Sequence, residues 1–205
     1  MNGYRRAAVA WLMSVGVGCS SAPIRYYTLT PALDKSLPAP QTTPAIDVRV
    51  VHIPAQLNRA GLMLRTGPAE VTLLENERWA SPVHNEIKDA LRIELQRRLV
   101  MAGFSAAHVR LTLDIDVQHL EAELGQYALL QASWSGTLSA SSQRLAGARI
   151  TTCIFQADEK IGSSYAGMVE AYQREIAAFA DAIVAVLTSP ASGIGAPPQT
   201  STECH

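Results

Sequence analysis

The sequence predicts one α/β domain, α+β-like in its order of elements, with two amphipathic helices packed on a mixed, mostly antiparallel sheet. Two stretches repeat apolar residues every three or four positions, as helices with one buried face do. Between them, three stretches alternate apolar and polar residues and are joined by short polar turns, which is typical of an antiparallel meander. Because the strands cluster instead of alternating with helices, a doubly wound parallel fold is excluded.

Four short stretches before the first helix have strand character. Residues 24–30 are rich in aromatic and β-branched residues, and residues 45–53 alternate apolar and polar positions. Residues 62–65 and 70–74 flank a Thr-Gly-Pro-Ala sequence, which predicts a hairpin. Residues 31–44 contain four prolines and therefore predict a loop without regular structure.

Two helices frame the predicted meander. The first should begin at Ser81 and Pro82, since a hydroxyl N-cap followed by proline is a common helix start, and should stop at Gly103. The second is predicted over residues 165–187. The meander strands are predicted over residues 108–117, 127–140 and 148–157. Residues 189–205 are rich in small and polar residues and predict a disordered tail.

The amino terminus predicts a secretory signal peptide over residues 1–18. Arg5 and Arg6 precede twelve uncharged residues that close with Gly-Val-Gly, and Cys19 follows at once. This arrangement resembles a bacterial lipoprotein signal, in which the cysteine is diacylated and becomes the first mature residue. A simple secretory signal is the alternative. A membrane-spanning anchor is disfavoured because twelve residues fall short of the roughly 20 that a spanning helix needs. Residues 19–188 would then form a single periplasmic lipoprotein domain.

Composition and charge restrict the class of protein. Hydrophobic residues make up 48% of the chain and charged residues only 17%, which is enough to form a core and excludes global disorder. The formal charge of the whole chain is −1. The chain has no run of Lys and Arg, so a nucleic-acid partner is disfavoured. No stretch after residue 18 is long and apolar enough to predict a membrane span.

The sequence offers little catalytic chemistry. Asp114 and Asp116 lie on the polar face of one predicted strand, where they could bind a metal or form an acid–base pair. A solvated strand face explains them more simply, and neither a metal-binding Cys/His cluster nor a GxSxG motif is present. We therefore expect no enzyme, metal or cofactor, and rank a metal-dependent hydrolase last. A Cys153–Cys204 disulfide could form in an oxidising periplasm, but a buried free thiol at Cys153 is favoured.

Three short motifs, in this order, resemble the paraquat-inducible protein C family of ABC-type transport auxiliary lipoproteins. They are Tyr26-Tyr27-Thr28-Leu29 behind the cysteine, the strand over residues 46–54, and Glu77-Arg78-Trp79-Ala80 before the first helix. The resemblance covers residues 19 to about 187. It implies a non-catalytic outer-membrane lipoprotein that works with an inner-membrane permease and a tunnel-forming mammalian cell entry (MCE) protein, and that can form homo-oligomers. Ser20 is not the aspartate that usually signals inner-membrane retention.

Four residues of these motifs are candidate partner contacts. Trp79 just before a helix commonly packs the chain entry onto the core, and Arg78 could lie across its ring. For this pair a structural role is favoured over partner binding. Of Tyr26 and Tyr27, one ring should point inward, and the outward one is the better candidate for a partner contact. The alternative function is a free periplasmic module that binds a lipid or a cell-wall fragment, which would need a sizeable apolar cavity.

Overall fold

The computed structural model describes residues 22–32, 44–103, 109–140, 148–188 and 200–204. The predicted signal peptide, Cys19 and most of the predicted loop over residues 31–44 therefore lie outside the described residues. Two helices and eight strands are found in the described part of the chain. In chain order they are β1 (Arg25–Tyr27), β2 (Ala45–His52), β3 (Gly61–Gly67), β4 (Glu70–Trp79), α1 (Val83–Met101), β5 (Val109–Glu123), β6 (Tyr127–Ala140), β7 (Ala148–Lys160), α2 (Tyr165–Thr188) and β8 (Thr200–Cys204).

The strands form two sheets where one was predicted. The small sheet has the order β1-β4-β3, with β1 parallel to β4 and with β3 and β4 forming the predicted antiparallel hairpin. The register of the hairpin shifts between Gly61 and Met63. A Cβ atom at Gly61 would lie 2.2 Å from the carbonyl oxygen of Leu74, so only glycine allows this close approach of the two strands.

The large sheet has the order β2-β5-β6-β7-β8, in which β2 is parallel to β5 and the other pairs are antiparallel. It contains the predicted meander. The turn between β5 and β6 includes Gly125 at φ +79°, a conformation that favours glycine. β5 continues past the predicted end at Val117 because a register shift there is followed by renewed alternation, with Leu120 and Ala122 buried.

Both helices pack on the large sheet and against each other, which confirms the predicted fold class. α1 contacts β2, and α2 contacts β6 and β7. The core includes a stacked pair, Phe155 and Phe179, whose ring centroids are 4.6 Å apart. The face of α1 that was predicted to be apolar is buried, including Val83, Ile87, Leu91, Leu95 and Leu99. Neither helix is long and apolar enough to cross a bilayer, within the residues that the structure describes.

The start of α1 differs from the prediction and its end does not. Pro82, not Ser81, occupies the N-cap position, and it makes no side-chain capping bond. The hydroxyl of Ser81 instead donates a hydrogen bond of 2.7 Å to Oε1 of Glu86. At the other end, Ala102 is the C-cap and Gly103 follows at φ +83°, as expected of a glycine that ends a helix.

Two predictions for the carboxyl terminus were wrong. Thr200–Cys204 is not disordered but forms β8, which pairs with the open edge of β7. Cys153 is not a free thiol, because it is disulfide-bonded to Cys204, its direct cross-strand partner. A strand edge has unpaired N–H and C=O groups that composition does not reveal, and β8 satisfies them. Residues 189–199 lie outside the described part of the chain.

Candidate interaction surface

β1 is held on the edge of the small sheet by polar contacts of Tyr27. Its hydroxyl donates a hydrogen bond of 2.7 Å to Oε2 of Glu77, and its carbonyl oxygen accepts one of 2.7 Å from the Ala80 amide. Burial, followed by the hydrogen bond to Glu77, raises the pKa of the Tyr27 hydroxyl. Arg25 adds an ion pair with Glu77 at 3.5 Å. Tyr27 is therefore the inward tyrosine of the predicted pair, and its side chain serves the fold.

Tyr26 is the outward tyrosine, and it lies beside Arg78. The Tyr26 side chain is 64% exposed, and Tyr26 is the register partner of Arg78 across β1 and β4. Partners across two neighbouring strands lie on the same face of a sheet. Nε of Arg78 donates a hydrogen bond of 2.7 Å to the carbonyl oxygen of Glu75. The structure thus brings Tyr26 and Arg78 together on one face.

Trp79 lies on the opposite face, because consecutive residues of a strand point to opposite sides. It is buried, and its ring centroid lies 6.5 Å from that of Tyr172 on α2. Of the four residues singled out from the sequence, Trp79 and Tyr27 therefore pack inward, whereas Tyr26 and Arg78 face outward.

The buried carboxylate of Glu86 on α1 holds the segment after β1, and sequence reasoning missed this role. It accepts hydrogen bonds from the hydroxyl of Thr28 at 2.7 Å, from the amide of Leu29 at 2.9 Å and from the hydroxyl of Ser81. On the other side, Nε2 of Gln173 donates to the carbonyl oxygen of Thr28 at 3.0 Å. An acidic residue in the first turn of a helix is ordinarily explained by the helix dipole, so the sequence carried no signal for these partners 57 and 58 residues away.

The outward face of the hairpin has two part-exposed apolar side chains on β4. Val71 is 53% exposed and Leu73 is 47% exposed; their register partners on β3 are Arg65 and Met63. The buried residues Leu62 and Leu64 alternate with these partners on the opposite face. The five large apolar residues that are exposed in the described chain are Ile24, Tyr26, Val71, Leu73 and Met101. All except Met101 belong to the small sheet or adjoin it, so the exposed apolar surface is concentrated there.

A pocket of about 280 Å³ lies between the hairpin and β5. Its apolar lining includes Leu57, Met63, Leu120 and the part-exposed side chain of Val71. An ion pair between Arg65 and Glu121 forms part of its wall. The hydroxyl of Tyr127 also donates to Glu121, at 2.5 Å. The hydrogen bond from Arg65 is the main cause that lowers the pKa of the Glu121 carboxyl. The volume is close to the lower end of the range found for small-molecule sites, about 300 Å³.

Asp114 and Asp116 lie on the large sheet, on the face of β5 that is opposite to its buried residues. Arg49 on β2 forms an ion pair with Asp114 at 2.7 Å. Oδ1 of Asp116 is buried and has no hydrogen-bond partner within the described residues. No group of three His, Cys, Asp or Glu side chains that could hold a metal is found among those residues. The arrangement thus gives Asp114 a cation as its neighbour.

Comparison with solved structures supports the fold. One crystal structure of an uncharacterized protein aligns with a TM-score of 0.60 and 18% identity, over 82% of this chain and all of the other. A protein of the DUF330 family from Xanthomonas campestris aligns with a TM-score of 0.52 and 18% identity, over 80% of this chain and 95% of its own. At this identity the likeness concerns the fold alone.

Comparison of the sequence identifies the family. No curated protein matches the chain. The model of one family, the ABC-type transport auxiliary lipoprotein component, matches residues 27–184. The match begins at the inward tyrosine of β1 and ends near the end of α2, so it includes strands β2 to β7, all of α1 and most of α2. Because it spans most of the sequence, the chain belongs to the family of ABC-type transport auxiliary lipoprotein components.

Proposed function

We propose that this chain is a non-enzymatic periplasmic lipoprotein, tethered by acylated Cys19 to the outer membrane, that serves an ABC/MCE-type system moving lipid or an organic solute between membranes. The family match over residues 27–184 is the observation that carries the proposal. Two features of the sequence support the tether: an uncharged stretch that ends in small residues directly before Cys19, and Ser20 in place of an aspartate. An auxiliary subunit of a transporter needs no reactive centre of its own, in keeping with the ion-paired Asp114.

Within this proposal, Tyr26 and Arg78 are the contacts to the partner, an MCE tunnel protein or its ABC permease complex. An exposed tyrosine beside an arginine is a composition that interface hot spots favour. The inward Tyr27 and Trp79 act indirectly, by fixing the strands that present this pair. Homo-oligomers around the end of the tunnel are part of the same proposal, which leaves the transported cargo open.

The tether is tested by metabolic labelling of growing cells with a palmitate analogue. The wild-type chain should incorporate the label and fractionate with the outer membrane. Cys19→Ala should lose both properties, and Cys204→Ser should keep them, because Cys204 is engaged in the disulfide. Labelling that survives Cys19→Ala would refute the tether.

The partner contact is tested by a photo-crosslinking amino acid at position 26. We expect a cross-link to the MCE protein in intact cells. The matched control carries the same amino acid at Lys88, an exposed position on α1. A cross-link from position 88 but none from position 26 would contradict the assignment of Tyr26, and a cross-link to a second copy of the chain would instead reveal the homo-oligomer.

The pocket of about 280 Å³ favours one alternative, a periplasmic module that itself binds a lipid or a cell-wall fragment. In that case the purified protein should carry a ligand that native mass spectrometry detects. Leu57→Trp, which places a larger side chain in the pocket wall, should remove it. If the wild-type protein carries no ligand, and Leu57→Trp changes the spectrum only by the mass of the substitution, the tethered auxiliary subunit remains the function.

A further inference from the structure

We propose that the β3–β4 hairpin lies on the lipid surface to which Cys19 tethers the chain. The contact would consist of the turn between the two strands and the outward side chains of Val71 and Leu73. This inference rests on the proposed acylation of Cys19, and it assigns an orientation of the folded domain relative to the bilayer. Three observations support it: the direction of β1, the length of the tether, and the exposed apolar side chains.

The chain leaves the small sheet in the direction of the hairpin turn. Because β1 is parallel to β4, the residues before Arg25 head toward the beginning of β4, where the turn lies. β3 is antiparallel to β4, so it too runs toward that turn. Followed backward from Tyr27 to Arg25, β1 therefore points to the side of the sheet where the hairpin turn lies.

The tether and the hairpin also have matching lengths. Arg78 is the register partner of both Tyr26 and Gly61, so these three residues lie at one level across the sheet. From that level β3 runs six residues to Gly67, about 20 Å at the usual rise of a strand. Cys19 is seven residues before Tyr26, so even a fully extended chain places it at most about 25 Å away. When Cys19 is fixed at the bilayer surface, the hairpin turn can reach that surface too.

The chemistry of the hairpin suits a shallow apolar contact. Val71 and Leu73 are about half exposed, and Pro68 and Ala69 in the turn are exposed as well. Single exposed apolar residues are common on soluble proteins, but here two of them lie two residues apart on the same strand, β4. Arg65 on the same face is ion-paired with Glu121, and Glu70 begins β4 directly after the turn, so no excess of positive charge attracts anionic lipid. The contact should therefore depend on apolar burial and hardly on salt.

The test uses the full-length lipidated protein in vesicles of phosphatidylethanolamine and phosphatidylglycerol. Leu73→Cys introduces a free thiol for an environment-sensitive dye, since Cys153 and Cys204 are disulfide-bonded and Cys19 is acylated in the proposal. Lys88→Cys is the matched control. It is exposed near the start of α1, which follows the end of β4 that is remote from the turn. Val71→Cys is a second probe, in case labelling at position 73 disturbs the hairpin.

Spin-labelled lipid should quench the dye at positions 73 and 71 several-fold more strongly than at position 88, and high salt should not change this ratio. Equal quenching at all three positions in protein that floats with the vesicles would overturn the hairpin contact and leave the tether intact. Quenching that disappears in high salt would overturn its apolar nature. Protein that does not float with the vesicles would overturn the tether and the inference together.

Discussion

Glu175 places a carboxyl group inside the packing near the end of β7. The residue is on α2 and only 3% exposed, and neither of its oxygens has a hydrogen-bond partner within the described residues. The pKa of Glu175 is raised to about 9. Burial is the main cause, the nearby charges of Glu159 and Asp158 also raise the pKa, and Arg174 lowers it. Arg174 is engaged with Glu159 in an ion pair of 2.8 Å. Glu175 is therefore protonated at neutral pH in the folded protein.

The titration of Glu175 predicts that stability falls as the pH rises. Below pH 4.5, its ordinary pKa, both the folded and the unfolded chain carry the proton, so the effect is absent. Between that pH and about 9 only the unfolded chain releases the Glu175 proton. Because this release favours unfolding, the free energy of unfolding decreases by about 1.4 kcal/mol per pH unit. Glu175→Gln should remove this slope and stabilise the protein at neutral pH. Chemical denaturation across that range measures it.

The exposed Glu170 on the same helix supplies the control for this titration. Glu170→Gln should leave the pH dependence unchanged, because the Glu170 side chain is exposed in the folded protein and its surroundings change little on unfolding. A wild-type protein whose stability does not decrease from weakly acidic to weakly basic pH would contradict the assignment to Glu175.

At the scale of elements, Glu86 joins α1 to the segment that follows β1. Its carboxylate accepts from three donors, two on residues 28 and 29 and one on Ser81. Glu86→Ala would leave buried donors without a partner, which should lower the free energy of unfolding by about 3 kcal/mol. Asp89→Ala on the same helix should change it by less than about 0.5 kcal/mol, since Asp89 is half exposed and its ion pair with Arg92 is 4.0 Å long. Equal losses in the two variants would refute this role.

The disulfide attaches β8 to β7 and closes a long loop. Its two cysteines are 51 residues apart, so breaking it should lower the free energy of unfolding by about 2 to 4 kcal/mol. Cys204→Ser should show this loss, together with faster proteolysis of the carboxyl-terminal end. A reducing agent should reproduce the effect in the wild type and have no further effect on the variant. If reduction leaves the unfolding midpoint unchanged, β8 is held by its strand pairing alone.

Elements with a strong local pattern could be predicted from the sequence, and contacts between distant segments could not. β6 and α2 agree closely with their predictions, because alternation over 14 residues and an apolar helical stripe over 24 residues are local signals. The parallel pairing of β1 with β4 depends on residues about 50 positions apart, and three residues give too little pattern to specify it. The missing pairing also hid the division into two sheets.

The candidate surface also has features that the local sequence pattern predicts and features that only the fold reveals. Alternation along a strand predicted that one tyrosine of the pair faces outward, and a tryptophan before a helix predicted the packing of Trp79. The patch formed by Val71 and Leu73 was not predicted. Both residues fit a half-buried strand equally well in either register, and only their exposure in the folded structure shows which side faces solvent.

At the scale of the whole molecule, one ion pair links the small sheet to the large one. Arg65 on β3 contacts Glu121 on β5, and Tyr127 on β6 donates to the same carboxylate. Both members of the ion pair are about three-quarters buried, so the pair is better shielded from water than Arg49–Asp114, which lies within the large sheet. We therefore expect the charge of Glu121 to contribute to the orientation of the hairpin relative to the meander.

The link between the sheets predicts an effect that is selective for the hairpin. Because the pKa of Glu121 is lowered in the folded protein, its contribution is fully present above its ordinary pKa and is lost as the pH falls through the folded value. Glu121→Gln should lower stability at neutral pH by about 1 kcal/mol and accelerate hydrogen exchange in β3 and β4 but not in β6 and β7. Acidification of the wild type should produce the same pattern of hydrogen exchange, faster in β3 and β4 but not in β6 and β7. As a control, Asp114→Asn breaks the exposed ion pair with Arg49 and should leave hydrogen exchange in the hairpin unchanged. If hairpin exchange is as slow in Glu121→Gln as in the wild type, apolar packing alone joins the sheets.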